Sequence, residues 1–225
     1  MSERVSVIVL AKETQLAKTR LTLERTKGQR IARALAATTV RKAMAARSVG
    51  DVYVVTSDRH IATDAEAARA YVVPEGTPLG MNRAAALGRS HAIGASPDSA
   101  IAIVVADLPY LDPDDVDDVI DEFREGRRPL FVADHHGVGT TLLIHDSDNQ
   151  MGIAFGRGSA HMHQRLGYEP ARRSLRGLRV DLDTPEDLKL VTTTTTQLHS
   201  ELTRISSGSA APFGVSPGMR TPARH

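Results

Sequence analysis

The chain has 225 residues, a formal net charge of +1, 41% hydrophobic and 24% charged residues, and no cysteine. This is an ordinary globular composition, long enough for one sizeable α/β domain. Near-neutral charge gives no reason to expect nucleic-acid binding through bulk electrostatics, and the lack of cysteine excludes disulfides, thiolate nucleophiles and thiolate metal sites. The opening "MSERVSVIVLAK" holds an apolar run too short for a secretory h-region. No stretch approaches a membrane span, so the expectation is a cytoplasmic protein.

Short apolar runs alternate with helical patterns along the chain. "VSVIVL" at 5–10 reads as a buried strand, and 28–47 carries Ile31, Leu35, Val40 and Met44 near helical spacing. "DVYVVT" at 51–56 is a second strand, followed by an alanine-rich helix at about 60–70. "YVV" at 71–73 is a short third strand, closed by the turn-rich "PEGTPLG". A helix over 81–94 leads to "AIAIVVA" at 100–106, the most apolar strand. "DPDDVDDVIDEFREG" starts a helix on Asp112 as N-cap with Pro113 in its first turn, and its acids read as a solvated face. "PLFVA" and "GTTLLIH" predict two more strands, 159–166 a helix, "LRVDLD" a strand and "TPEDLKLV" a closing helix. Strands that are apolar throughout fit burial on both faces. The expected fold is α/β: a single Rossmann-like, mostly parallel mixed sheet with helices on both faces. Residues 1–196 form the domain. The Gly/Ser/Pro-rich 197–225 lacks periodicity and reads as a disordered tail.

In open α/β sheets, ligands bind beyond the carboxyl ends of the strands. Past the first strand lie Lys12, Lys18, Thr19 and Arg20. Past the central strand comes Asp107, a carboxylate at the edge of a core, which is costly unless something pairs with it. Asp181 and Asp183 lie in "RVDLDTPEDL", and "GVGTT" and "FGRGS" add two glycine loops. Basic groups and exposed backbone N–H groups suit phosphates. Separated carboxylates suit Mg²⁺, which is held by one or two carboxylates plus substrate phosphates. Each piece also has a plain structural reading. The lysines and arginine could line a solvated loop, Asp107 could cap the following turn, and Asp183 reads as a helix start. The histidines at 135, 136, 161 and 163 read as surface or structural; His161 and His163, two apart, would not share a helix face. There is no GxGxxG after the first strand, no GxxxxGK[ST] and no GxSxG.

Taken in order, "AKETQLAKTRL", "ADLPYL", "GTTLL", "FGRGSAHMH" and "GLRVDLDTPEDL" resemble the guanylyltransferases of coenzyme F420 biosynthesis, which belong to the MobA-like nucleotidyltransferases. The likeness spans about residues 5–195. Most MobA-like proteins open on a Gly-Gly loop, whereas this chain has no glycine between Val5 and Lys27, a departure shared by the F420 branch. The resemblance implies transfer of GMP from GTP to the phosphate of a three-carbon phospho-acid, phosphoenolpyruvate or 2-phospho-L-lactate, releasing pyrophosphate. It implies Mg²⁺ on Asp107 and Asp181. It places Thr140, Gly156 and Ser159 on the phospho-acid, and Lys12, Lys18, Arg20 and Asn82 on the nucleotide. Lys18, Arg20 and Asp107 become the catalytic set. The implied partners are GTP and the small acid, with no nucleic acid or membrane, and a homodimer is left open. The alternatives are another MobA-like enzyme, acting on molybdopterin or a sugar phosphate, and a receiver or binding module. Receivers need an acidic pair after the first strand, where this chain has Lys12.

Overall fold

The computed structural model describes residues 4–11, 25–76, 80–126 and 128–182. The basic loop with Lys12, Lys18 and Arg20, the closing helix and the expected tail lie outside them. The described strands are β1 (Val5–Leu10), β2 (Val49–Thr56), β3 (Tyr71–Pro74), β4 (Ile101–Val105), β5 (Leu130–Ala133), β6 (Thr140–His145) and β7 (Glu169–Pro170). The helices are α1 (Arg25–Ala45), α2 (Arg59–Ala67), α3 (Met81–Ala95), α4 (Pro113–Gly126), α5 (Ser159–Arg165) and α6 (Arg176–Arg179).

The strands form one sheet in the order β3-β2-β1-β4-β6-β5-β7. β1 pairs in parallel with β2 on one edge and β4 on the other. β6 runs antiparallel to both β4 and β5. The sheet is thus mixed and mostly parallel, as its apolar strands suggest. Every residue of β1 and β4 is buried, because helices cover both faces. α1 packs on β1 and β2 together with α2 and α4. α3 packs on β1, β2 and β3; right-handed crossovers on either side of β1 put it on the opposite face.

Local chemistry sets the element ends. Asp112 accepts from the Asp114 N–H at 3.1 Å, and Pro113 opens α4. Asp58 caps α2 by accepting from the N–H groups of His60 and Ile61 and also pairs with Arg33 of α1 at 3.0 Å. The acids of α4 are not simply a solvated face. Asp117 is buried and accepts from the backbone N–H groups of Arg47 and Ser48. Burial alone would raise its pKa; these bonds outweigh burial and lower it. Asp115 holds the Gly177 N–H, and Glu122 holds those of Arg172 and Arg173. These carboxylates tie the α1–β2 turn and the segment after β7 to α4.

One predicted element differs. "LRVDLD" is not a strand: Arg176–Arg179 form a helical turn, and residues 180–182 have no regular structure. Leu175, Leu178 and Leu182 are all fully buried, a spacing of three and four that belongs to a helical path rather than a period of two. The Arg179 guanidinium donates to the carbonyls of Ala133 and Ala171, holding the turn across the ends of β5 and β7. The sheet position beside β5 goes to the two-residue β7, which no apolar run marks.

Gly88 of α3 faces the sheet where β1 and β2 lie side by side. A Cβ there would sit 2.5 Å from Ile8 Cγ2 and 2.8 Å from Val55 Cγ2. Helix propensity alone favours alanine by about 1 kcal/mol, but overpacking a filled core costs roughly 1–3 kcal/mol. Gly88→Ala is therefore expected to lower the urea midpoint at unchanged m-value. An equal or higher midpoint would show that α3 does not pack this closely.

Candidate active site

The chain reverses its direction of travel across the sheet between β1 and β4, so the crevice outside their carboxyl ends is the topological switch point. Asp107 stands there, two residues beyond β4. Thr39 of α1 donates its hydroxyl to the Ala106 carbonyl at 3.1 Å, fixing the end of the strand. The Leu182 N–H donates to the Asp107 carbonyl at 3.1 Å. That bond holds Leu182, and with it the adjoining residue Asp181, to the backbone at the switch point. Asp181 Oδ1 lies 3.8 Å from His135 Nδ1, and the His135 ring rests on His136. Among the described residues no group of three or more His, Cys, Asp or Glu converges as a metal cage. Two carboxylates without thiolates form the donor set of a hard cation whose remaining ligands come from phosphate. On that ground Asp107 and Asp181 fit Mg²⁺.

Because β6 is antiparallel, its first residue reaches the same edge of the sheet as the end of β4. That residue is Thr140, opposite Ala133 in the ladder. The β5–β6 hairpin before it is organised by Asp134, whose carboxylate accepts from the N–H groups of Val138 and Gly139 at 2.9 and 2.7 Å. The Ala160 N–H donates to the Val138 carbonyl, so α5 is tied to this hairpin. Gly156 has φ 132°, a backbone conformation that side chains rarely adopt. Ser159 is buried and is the first residue of α5, with Gly158 in the capping position. Thr140, Gly156 and Ser159 are therefore gathered at one place.

Two side chains hold that place together. Asn82, near the start of α3, donates through Nδ2 to the Phe155 carbonyl at 3.2 Å and accepts from the Phe155 N–H at 2.6 Å. Its amide thus clamps the loop beside Gly156. His163 is fully buried. Its Nε2 accepts from the Ala154 N–H, and its Nδ1 lies 2.9 Å from Thr140 Oγ1, while Phe131, Phe155 and Tyr168 pack around the ring. Burial pushes its pKa down to about 4. His145, at the far end of β6, is likewise pushed down to about 4 by burial. The sequence reading of His163 as a structural histidine thus holds in kind, but the sequence does not reveal which groups it joins. Of the expected site, backbone bonds hold Leu182, next to Asp181, at Asp107, and tie the start of α5, with Ser159 and Gly156, to the hairpin that leads into Thr140.

A family model for the MobA-like NTP transferase domain matches residues 21–176. The chain belongs to the MobA-like NTP transferase family. Among curated relatives it is similar to the phosphoenolpyruvate guanylyltransferase of Thermomonospora curvata, with 39% identity over 162 residues, 72% of this chain and 71% of that one. The corresponding protein of Geodermatophilus obscurus is 36% identical over 191 residues, 82% of this chain and 86% of the relative. That of Streptomyces coelicolor is 34% identical over 187 residues, 82% and 88% of the two chains. Among solved structures, a nucleotide-diphospho-sugar transferase of Desulfovibrio desulfuricans superposes with a TM-score of 0.65 at 14% identity, covering 90% of this chain and 95% of its own. A cytidylyltransferase of Leptospira borgpetersenii superposes at 0.56 and 13% identity, over 94% and 100%. These likenesses establish the fold. Among the described residues, no helix of this family member is long and apolar enough to cross a membrane.

Removing the Asn82 amide deletes two hydrogen bonds, together worth roughly 1–3 kcal/mol. Asn82→Ala is therefore expected to lower Tm by several degrees, at about 2–4 °C per kcal/mol for a domain of this size. An unchanged Tm with a raised KM for nucleotide alone would assign Asn82 to the base instead. The buried imidazoles add a pH dependence. Between pH 6.5 and 4 the unfolded chain binds protons that folded His145 and His163 refuse, so stability falls as pH drops through that window. By pH 5 the loss is about 2 kcal/mol for each ring. Urea midpoints measured at pH 7 and pH 5 check this, and equal values would show that the rings are not held neutral.

Proposed function

We propose that this protein is a guanylyltransferase that moves GMP from GTP to the phosphate of phosphoenolpyruvate or 2-phospho-L-lactate, in coenzyme F420 biosynthesis. The observation that carries this reading is the Leu182–Asp107 backbone bond. It ties the segment that carries Asp181 to the backbone of Asp107 at the switch point, on the sheet edge where Thr140 starts β6. The relatives' names supply the acceptor class and the nucleotide.

In this reading the acceptor's phosphate oxygen attacks the α-phosphorus of GTP. One P–O bond forms, the α–β bridging bond breaks, and the electron pair leaves with pyrophosphate. The attacking oxygen is already ionised at neutral pH, so no general base has to remove a proton. The protein's work is positioning and charge neutralisation. Thr140, Gly156 and Ser159 would hold the acid, with the Thr140 and Ser159 hydroxyls donating to its oxygens. Asp107 and Asp181 would hold Mg²⁺, which when bound supplies charge neutralisation at the phosphates. Lys12, Lys18 and Arg20 would grip the triphosphate, with Lys18 and Arg20 compensating charge on departing pyrophosphate. Asn82 would shape the nucleotide side from the start of α3. The catalytic unit is residues 1–196.

Pyrophosphate release from GTP and Mg²⁺ tests the reading, with phosphoenolpyruvate, 2-phospho-L-lactate and a sugar 1-phosphate supplied in turn. Release with a phospho-acid and not with the sugar phosphate is expected; the reverse would overturn it. Asp107→Asn, nearly isosteric, is expected to lower the rate at least about a hundred-fold while Tm stays close to that of the wild type. Normal turnover in this variant would remove Asp107 from the metal site.

A further inference from the structure

We propose that His163 is a positioning residue that turns the Thr140 hydroxyl into a fixed donor for the acceptor's phosphate. This rests on the reading of Thr140 as an acceptor-binding group.

The hydrogen bonds settle which ring nitrogen carries the hydrogen. The Ala154 N–H donates to His163 Nε2 at 2.9 Å, so Nε2 must offer a lone pair. In a neutral imidazole the hydrogen then sits on Nδ1, which lies 2.9 Å from Thr140 Oγ1 and donates to it. Thr140 therefore spends a lone pair on His163. Its own hydrogen is left to be donated elsewhere, at the sheet edge that carries Asp107. No hydrogen bond donated by the Thr140 hydroxyl is found among the described residues. A hydroxyl that accepts from one partner is a better donor to the next, because the two bonds polarise each other.

The surroundings keep this arrangement in one state. The ring has no exposed surface, and Phe131, Phe155 and Tyr168 stand around it at centroid distances of 6.4, 5.4 and 5.5 Å. A pKa near 4 keeps the ring neutral at working pH. Protonation would set an N–H against the Ala154 N–H and break the brace. His163 also ties Ala154, next to the loop clamped by Asn82, to the first residue of β6. Loop and hydroxyl are thus set by one ring.

Two substitutions separate orientation from bracing. His163→Gln places an amide oxygen near Nε2, keeping the acceptor for Ala154 and losing the donor to Thr140. His163→Asn places an amide N–H near Nδ1, keeping the donor and losing the acceptor. His163→Gln is expected to raise the KM for the phospho-acid about ten-fold with the KM for GTP unchanged, as is Thr140→Val. The double variant is expected to be no worse than Thr140→Val alone, and His163→Asn to recover most of the loss. Additive losses in the double variant, equal shifts in both KM values, or no rescue by asparagine would overturn the proposal. Imidazole ¹⁵N shifts of the wild type between pH 7 and 5 give an arm that needs no turnover. A hydrogen on Nδ1 and a bare Nε2 are expected, and the opposite tautomer would overturn the proposal. If no phospho-acid supports pyrophosphate release in the wild type, the functional reading fails on its own, and the tautomer still decides the orientation of Thr140.

Discussion

Everything at the candidate site inherits its position from the double parallel pairing of β1. A central strand bonded on both edges, with every residue buried, has no freedom of register, because a one-residue slip would move each side chain to the other face. Its pairing with β4 puts Leu10 beside Val105, so the two strands end side by side. Asp107 emerges from that fixed point. The charge sits at the mouth of the crevice because the chain cannot place it elsewhere without breaking the most apolar ladder of the sheet. The antiparallel β6 then takes the place beside β4. An antiparallel neighbour brings the start of a strand, not its end, to the ligand edge, and so Thr140 reaches the crevice that a parallel strand would have served with its last residue.

Around this rigid frame, polar side chains do the arranging. Asp134 closes the hairpin ahead of Thr140, Asn82 clamps Phe155, and His163 joins Ala154 to Thr140. Each satisfies backbone groups that a loop over a core would otherwise leave bare, and an unsatisfied buried group costs about 1–3 kcal/mol. The same logic operates away from the site, where Asp117 and Asp115 of α4 take the N–H groups of Ser48 and Gly177. An acidic helix that would be idle if solvated here fixes the segment that delivers Asp181. Carboxylates that repel one another along one helix persist because each has donors of its own.

The sheet and its order of elements were legible because the strands are unbroken apolar runs and the helices keep a 3.6 period. Asp107 was legible for the same reason: a charge after "IAIVVA" has no bland neighbour to hide among. β7 was not, since two residues make no pattern, and its place is set by backbone bonds from Glu169 to Pro129 and from Ala171 to Phe131. "LRVDLD" misled because alternation over six residues mimics a strand, while the decisive spacing of Leu175, Leu178 and Leu182 begins three residues before that window. The gathering of Thr140, Gly156 and Ser159 entered through a resemblance. What gathers them, Asn82 and His163, could not be read from spacing, because each acts on a backbone group far away in the chain or around a corner of the fold. Lys12, Lys18 and Arg20 were read from the same loop position and lie outside the described residues.

A catalyst whose nucleophile arrives ionised has a particular difficulty. It must bring two anions together, and each repels the other until they are held. Cationic side chains can lower that repulsion but do not by themselves aim an oxygen. Aim has to come from neutral donors on rigid elements, because a neutral donor binds an anion without adding mobile charge and loses little by being buried once its own acceptor is satisfied. Thr140 on the central sheet, braced by a neutral His163, has these properties. A lysine in its place would attract the phosphate more strongly and orient it less, and it would compete with Mg²⁺ for the same oxygens. In the proposed function the two tasks fall to different groups: Lys12, Lys18 and Arg20 would neutralise the triphosphate, and Thr140 at the sheet edge would fix the angle of attack.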